Sequence, residues 1–338
     1  MTKWSKLSDT MAIAGTLNVR RLFNLCWLSM GYLSYLATKR TFNSGLPFAV
    51  SIEPTTSCNL HCQECPTGMR SLTRPKGFIK MDLYRNIIDQ MSSHLLYLTL
   101  YFQGEPYLHP DFHDMVAYAH SKKIYVATST NGHYLDDANA EATIRSGLNK
   151  LIVSLDGTDQ ETYSSYRKGG DFDRVTAGVK RLVAWKRKLG VQHPHIIIQF
   201  LVLSTNEHQA VSIKKLCREL GADEVQIKTA QLNSYMPGNP LMPKDKRFSR
   251  YMSSPDGTFK PTGRMRNRCF RMWTSPVITL DGEVIPCCFD KDAEHKIGNV
   301  GTGNFKEIWK SHEYKKFRTQ IRHSRKSVEM CCNCTQRW

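Results

Sequence analysis

Acidic residues are scarce in this chain: 30 Asp and Glu stand against 47 Lys and Arg over 338 residues, a net charge of +17. Such an excess attracts nucleic acid, anionic lipid or an acidic substrate, and solvated lysine-rich faces produce it too, so charge alone selects no partner. No RNA-binding fold signature accompanies it. The basic stretch from Lys306 to Lys326 has eight Lys or Arg against two Glu, with Trp309, Tyr314 and Phe317 at helical spacing rather than as a stacking platform. It reads as the wet face of a helix, and nucleic acid is not an expected partner. An apolar run long enough to span a bilayer is missing too. Leu22 to Ala37 is about sixteen residues, short of the ~20 required, with Arg20 and Arg21 on one flank and Lys39 and Arg40 on the other. A cleavable signal peptide is not expected. The eleven cysteines are therefore assigned to a reducing compartment, the cytoplasm by default, where thiols stay free to bind metal and a disulfide scaffold is disfavoured.

What is present is a compact set of thiols. Cys58, Cys62 and Cys65 stand as Cys-x3-Cys-x2-Cys in Glu53-Pro-Thr-Thr-Ser-Cys-Asn-Leu-His-Cys-Gln-Glu-Cys-Pro66. Three thiolates on one short loop can hold three corners of a 4Fe-4S cluster and leave the fourth iron open. A fully ligated cluster carries electrons, whereas an iron without a protein ligand can bind a substrate or cofactor. The alternative is zinc, which wants four closed ligands and has only His61 nearby as a fourth.

This spacing, just after a first strand, resembles the radical S-adenosylmethionine (radical SAM) superfamily. In such enzymes the open iron chelates the amino and carboxylate groups of SAM. One electron cleaves its C–S bond, and the 5'-deoxyadenosyl radical abstracts a hydrogen atom. Further motifs extend the resemblance. Tyr101-Phe-Gln-Gly-Glu-Pro106 matches the family's Gly-Gly-Glu-Pro with Gln103 in place of the first glycine, followed by Gly104 and Glu105, the implied partner of the SAM ammonium. Ile124 to Gly132 reads as a third strand ending at Thr130 and Asn131, where related enzymes turn toward the SAM ribose. Leu151 to Gly157 looks like a fourth strand with a Ser-x-Asp-Gly end. Ser154, Asp156 and Arg167 are the implied ribose and carboxylate contacts, with Arg174 as a second candidate for the carboxylate. Glu64 departs from the aromatic or apolar residue common before the third cysteine.

From Phe48 to about Ala230, short apolar runs alternate with helical periodicity, the signature of strand-helix units and a parallel sheet. Strands are expected near 48–53, 96–102, 124–129, 150–154, 195–203 and 224–229. Leu83, Ile87 and Met91 share one helix face. Phe172, Val175, Val179 and Leu182 share another, and Ile213, Leu216 and Leu220 a third that stops at Gly221, with Cys217 as a core residue. Every motif falls at the C-terminal end of an expected strand, where the loops of a parallel barrel converge. The apolar stretch at 22–37 then has two open readings. It is an interfacial helix on anionic lipid, with Trp27, Tyr32 and Tyr35 at headgroup level, or a helix capping the barrel bottom.

Residues 231–265 are rich in Pro, Gly, Ser and Lys without periodicity and look like a linker. Beyond them Pro276 to Pro286 flanks Asp281-Gly282, a hairpin signal that places Cys269 and Cys287 close together. A cysteine, then Gly-x4-Cys, then Cys-x2-Cys resembles the SPASM and twitch extensions of radical SAM enzymes, which hold auxiliary 4Fe-4S clusters. A full SPASM module has seven cysteines and two clusters. Here one auxiliary cluster is expected, on Cys269, Cys287, Cys331 and Cys334. Cys288 and Cys332 are adjacent extras; neighbouring side chains of a strand point oppositely, so at most one of Cys287 and Cys288, and one of Cys331 and Cys332, is expected to face the metal, and zinc is the open alternative for this set.

The expected fold is α/β, a partial (βα)6 TIM-like barrel of parallel strands with a small C-terminal cysteine-rich α+β auxiliary-cluster domain. Its segments are an N-terminal basic and apolar helical segment (1–45), the barrel (46–232), a linker (233–265) and the SPASM/twitch-like domain (266–338). The expected activity is SAM cleavage and hydrogen abstraction by a radical SAM oxidoreductase. The auxiliary cluster takes the electron of a substrate radical in a net oxidation. Expected partners are a small-molecule, peptide or protein substrate, or a sugar-like alcohol, and an electron donor such as flavodoxin or ferredoxin. Peripheral contact with an anionic membrane at the inner face is a further expectation. The rival readings are an iron-sulfur RNA-binding protein and an electron-transfer protein without SAM chemistry. Gln199, Gln226 and Lys228, near the ends of the fifth and sixth strands, are equally substrate contacts or barrel wall.

Overall fold

The computed structural model describes residues 3–38, 45–233, 235–236, 238–255 and 257–335. Two helices come first, α1 (Lys3–Ala14) and α2 (Val19–Thr38). Strand and helix then alternate through β1 (Ala49–Ile52), α3 (Met81–Met91), β2 (Tyr97–Thr99), α4 (Phe112–Ser121), β3 (Tyr125–Thr130) and α5 (Asp137–Arg145). They continue with β4 (Lys150–Ser154), α6 (Gln160–Tyr166), α7 (Phe172–Lys188), β5 (His195–Val202), α8 (Ser212–Glu219) and β6 (Glu224–Thr229). An antiparallel pair follows, β7 (Tyr251–Ser253) and β8 (Phe259–Pro261), then α9 (Arg271–Thr274), β9 (Val277–Ile278), β10 (Glu283–Ile285) and β11 (Gly298–Asn299). Last come α10 (Phe305–Lys310), α11 (His312–Ser324) and α12 (Glu329–Cys332).

Strands β1 to β6 pair in parallel and in chain order, at the places the apolar runs indicate. Most of their side chains are buried, as expected for strands covered on both faces. Asp136, Asp159 and Asp171 cap α5, α6 and α7, each accepting from the backbone N–H three residues on. Gly221, at φ +75°, ends α8, and Cys217 is buried in that helix.

The sheet continues past β1. Strand β9 adds in parallel to its edge, Ser51 opposite Val277 and Ile52 opposite Ile278. β10 and β11 follow antiparallel, giving the order β11-β10-β9-β1-β2-β3-β4-β5-β6. The turn at Asp281-Gly282 forms the expected hairpin, with Gly282 at φ +86°. The 233–265 stretch, expected as a linker, contains the β7–β8 pair and sends Leu241 and Tyr251 into the core. Tyr251 bridges the backbone N–H of Leu232 and the amide of Asn333 (2.9 and 2.8 Å), and Leu241 is buried with Leu60 and Tyr166. Two three-residue strands amid Pro and Gly leave no periodic trace in sequence.

The basic face at 306–326 is only partly wet. Arg318 is fully buried, its guanidinium 4.4, 4.3 and 4.2 Å from the ring centroids of Trp273, Trp309 and Tyr314. Desolvation pulls its pKa down to about 10. A planar, weakly hydrated guanidinium tolerates such an aromatic cage, so helical spacing concealed a buried cation among the solvated ones.

Helices α1 and α2 close the barrel at the end where the strands begin. Arg21 is buried and donates to the carbonyls of Thr16, Lys123, Ser92 and Lys122 at 2.7, 2.5, 2.8 and 2.9 Å. Asp9 pairs with Lys150 (2.8 Å) and accepts from the Tyr125 hydroxyl. Leu28 and Tyr35 are fully buried, and Tyr35 packs on Trp273 with centroids 5.2 Å apart. The inner face of α2 thus fits the capping reading. Lys39 and Arg40, which bracket the stretch in sequence, lie outside the described residues. Among the described residues, no helix is long and apolar enough to cross a membrane.

Arg21→Met withdraws donors from one buried carbonyl and three in partly buried bonds. An unpaired buried acceptor costs ~1–3 kcal/mol, so a loss of at least ~2 kcal/mol is expected, read as a lower Tm of the full-length protein. An unchanged Tm would show that this cap contributes nothing to the fold.

Candidate cofactor and metal centre

The loop leaving β1 is held by its own backbone before it reaches the thiols. Thr55 Oγ1 donates to the Gly77 carbonyl (2.7 Å), and Cys65 N–H donates to the Cys62 carbonyl (3.2 Å). Glu53 and Arg74 clamp its two limbs in a bidentate pair, both bonds 2.6 Å and both side chains buried. Arg74 Nε donates to the carbonyl of Lys291, tying the loop to the hairpin unit (2.7 Å).

Cys58, Cys62 and Cys65 line one cavity of about 320 Å³. Gln103, Gly104, Glu105, Thr130 and Asn131, from the ends of β2 and β3, share its wall with Ser154 and Arg167. Gly104 sits at φ +74°, and a Cβ there would meet the Thr55 carbonyl oxygen at 2.4 Å, so the β2 loop approaches the cysteine loop only as glycine. Gln103 reaches back across it, Oε1 3.4 Å from Thr67 Oγ1 and 4.0 Å from Cys65 Sγ.

Glu105 is the electrostatic centre of the cavity. Its carboxylate accepts from Thr130 Oγ1 (2.8 Å), Asn131 N–H (2.7 Å) and Tyr107 N–H (3.2 Å). Burial pushes its pKa up to about 7 despite those donors. Among the described residues no Lys or Arg forms an ion pair with it, so this buried acid is poised for a cationic ligand. Thr130 Oγ1 and the Asn131 backbone N–H are engaged with Glu105 while both residues line the cavity. The Asn131 side chain donates to Asn59 and points at Cys58 Sγ (2.7 and 3.9 Å).

Arg167 closes the far wall. Asp156 accepts from its Nε (2.6 Å), and its Nη1 lies 3.9 Å from Cys62 Sγ. The Asp156 carboxylate keeps the guanidinium charged although burial opposes it. Asp156 is itself fully buried behind Arg167, also accepts from Leu201 N–H (2.6 Å), and does not line the cavity. Arg174 is exposed on α7, away from the wall. Glu64 accepts from Asn233 N–H (2.6 Å) and lines both this cavity and an adjoining open cleft of about 550 Å³. Gln199 reaches the cavity, whereas Gln226 and Lys228 do not. The sequence reading passed over Tyr101, Phe102, Tyr166 and Lys291, all in the wall. The first three flank motif residues and carried a positional signal. Lys291 arrives from the hairpin unit and carried none.

Cys269, Cys287, Cys331 and Cys334 line a second, small cavity with Arg325, whose Nη2 lies 3.2 Å from Cys334 Sγ. Cys288 turns away to Arg271 (2.7 Å) and Cys332 to the Lys326 carbonyl (3.3 Å), and neither lines it. Each set offers thiols with a guanidinium N–H beside them, Arg167 Nη1 at Cys62 and Arg325 Nη2 at Cys334, a donor set that suits a four-iron cluster. Burial pushes Cys58 and Cys331 up to about 11, so these thiols keep their protons until a metal displaces them.

A family model of the radical SAM superfamily matches residues 52–199, and one described as SPASM, an iron-sulfur cluster-binding domain, matches residues 269–335. The chain carries a radical SAM domain followed by a SPASM domain. Its cofactors are accordingly a 4Fe-4S cluster, SAM and an auxiliary cluster. It is 25% identical to the AdoMet-dependent heme synthase of Nitratidesulfovibrio vulgaris over 85% of this chain and 86% of that one. A second such synthase, from Methanosarcina barkeri, is 29% identical over 52% of this chain, which spans only about half (48%) of that relative. Mycofactocin maturase MftC of Mycobacterium tuberculosis is 30% identical over 42% of this chain and 37% of its own length. Among solved structures, Streptococcus suis SuiB bound to S-adenosylmethionine has the same fold, with a TM-score of 0.64, 16% identity, and coverage of 92% of this chain and 76% of that one. SuiB has also been solved with its precursor peptide SuiA.

An ammonium ligand needs Glu105 ionised. With its pKa near 7, SAM binding should strengthen about tenfold from pH ~6 to pH ~8, and Glu105→Gln should flatten that profile. Stability runs the opposite way. A carboxyl whose folded pKa is raised favours the fold below its unfolded value and loses that benefit as pH rises to about 7. Equilibrium dialysis of labelled SAM measures the first effect, and a flat wild-type profile would count against the assignment.

Proposed function

We propose that this radical SAM enzyme binds its catalytic cluster through Cys58, Cys62 and Cys65, holds SAM against Glu105 and Arg167, and oxidises a peptide or protein substrate. The observation that carries this reading is that one cavity unites three thiols, a buried acid with no ion-pair partner among the described residues, and a buried arginine. When bound, the cluster and SAM supply the hydrogen-abstracting radical. The protein's own groups do the rest. Cys58, Cys62 and Cys65 would hold the cluster, Glu105 would accept hydrogen bonds from the SAM amino group, and Arg167 would take its carboxylate. Asp156 fixes the arginine, Thr130 and Asn131 orient Glu105, and Ser154 faces the ribose. Gln103 and Gly104 bring the β2 loop onto the cysteine loop.

The auxiliary cluster is assigned to Cys269, Cys287, Cys331 and Cys334, whose closed shell suits electron transfer and not substrate binding. A peptide is favoured over a small alcohol because the SAM cavity opens, past Glu64 and Lys291, into the adjoining cleft. Phe289 and Met330 line both that cleft and the auxiliary cavity. A chain lying in the cleft would meet both centres. The names of the maturase MftC and of SuiB with its precursor peptide agree with such a substrate. The reducing equivalent would come from a flavodoxin or ferredoxin in the cytoplasm.

Anaerobically reconstituted protein should carry about eight irons, as two four-iron sites require. Replacing Cys58, Cys62 and Cys65 together by Ala should leave about four irons and no 5'-deoxyadenosine. The double variant Cys331→Ala, Cys334→Ala should lose the other four yet still form 5'-deoxyadenosine with dithionite. Zinc in place of the second set of irons would overturn the auxiliary assignment, and SAM cleavage by the first variant would overturn the catalytic one.

A further inference from the structure

A helix that did nothing but close a barrel would turn a polar face to water. Helix α2 does not. Its inner face buries Arg21, Leu28, Gly31 and Tyr35, while Val19, Leu22, Phe23, Trp27, Met30 and Leu33 are 86, 52, 69, 47, 58 and 63% exposed. Steps of three and four residues gather those six on one stripe along the outer side. Phe23 and Trp27 stack there, ring centroids 6.2 Å apart. Leu7 and Met11 of α1 and Leu17 of the turn are exposed too, so most of the exposed large apolar side chains among the described residues fall between Leu7 and Leu33. Exposed apolar area concentrated in this way marks a surface that is covered by something.

Charge identifies the cover. No carboxylate occurs between Asp9 and Glu53, and Asp9 is already paired with Lys150. Arg20 is exposed beside the stripe, on a chain of net charge +17. A second copy would bring a like-charged surface against this one, whereas an anionic lipid surface neutralises it. We propose that the outer face of α1 and α2 lies flat on a bilayer with anionic headgroups. The stripe sinks to the acyl boundary, and the Trp27 indole sits at headgroup level. The helices occupy the end of the barrel where the strands begin, so the cavity at the opposite end faces away from the lipid and stays open to substrate.

Flotation of the full-length, cluster-loaded protein with vesicles tests this. Protein should rise with vesicles containing phosphatidylglycerol, roughly tenfold less with phosphatidylcholine alone, and should be released as salt rises from ~0.05 to ~0.5 M. The combined Phe23→Ser, Trp27→Ser and Met30→Ser variant changes only exposed positions. It should stop floating while keeping its iron content and Tm. Wild-type protein that stays at the bottom with anionic vesicles, or a variant that still floats, would overturn the proposal. So would a lipid-free dimer that the variant converts to monomer, since the occupant would then be a second copy.

Discussion

The pairing of β9 with the edge of β1 is the constraint on which the rest of the site depends. Ser51 N–H donates to the Pro276 carbonyl and Glu53 N–H to that of Ile278, both at 3.0 Å. A partial barrel of six strands has unpaired edges, and β9 covers one of them. The cysteine loop therefore springs from one strand and the cysteine hairpin from its neighbour. The Glu53–Arg74 pair locks the junction, since Glu53 also accepts from Leu280 N–H (3.3 Å) and Arg74 donates to the Lys291 carbonyl. Removing one partner of a buried pair of this kind strands a charge in low dielectric, which gives the register between the two cysteine sets a strong electrostatic guard.

Burial then does the chemical tuning. The same desolvation that raises Glu105 to about 7 also raises Cys58 and Cys62, and Arg167, the barrel's cation in that wall among the described residues, is held by its pairing with Asp156. Within one cavity, acid and base are thus kept apart. Among the described residues no Lys or Arg forms an ion pair with Glu105, whereas Arg167 pairs with Asp156, an arrangement suited to a ligand that is itself a zwitterion.

Much of this was legible in sequence because the motifs carry their own geometry. Parallel strands buried on both faces leave unmistakable apolar runs, and the Asp caps and Gly221 punctuate the helices between them. The three loop thiols and Glu105 follow from spacing at strand ends. Cys288 and Cys332 do leave the cavity that their neighbours line, but not by strand alternation, since Cys288 lies in a turn and Cys332 ends α12; their partners are Arg271 and the Lys326 carbonyl. What sequence concealed depends on distant pairing. Val277 and Ile278 are too short a run to reveal that they join β1, and Lys291 reaches the cavity only through that pairing. Arg318 resembled a solvated residue until three aromatic rings closed around it. The bonds of Thr130 to Glu105 and of Asp156 to Arg167 were not legible in sequence either, because hydrogen-bond partners are chosen in space.

The central claim is that the loop cluster has an open iron whose ligand is held by Glu105 and Arg167. Electron–nuclear double resonance of the reduced protein, given SAM labelled with nitrogen-15 at its amino group, tests it directly. The account requires a nitrogen hyperfine coupling to the cluster that fades in Glu105→Gln. A reduced cluster whose spectrum is indifferent to SAM would contradict it and leave the loop as the seat of an ordinary electron carrier.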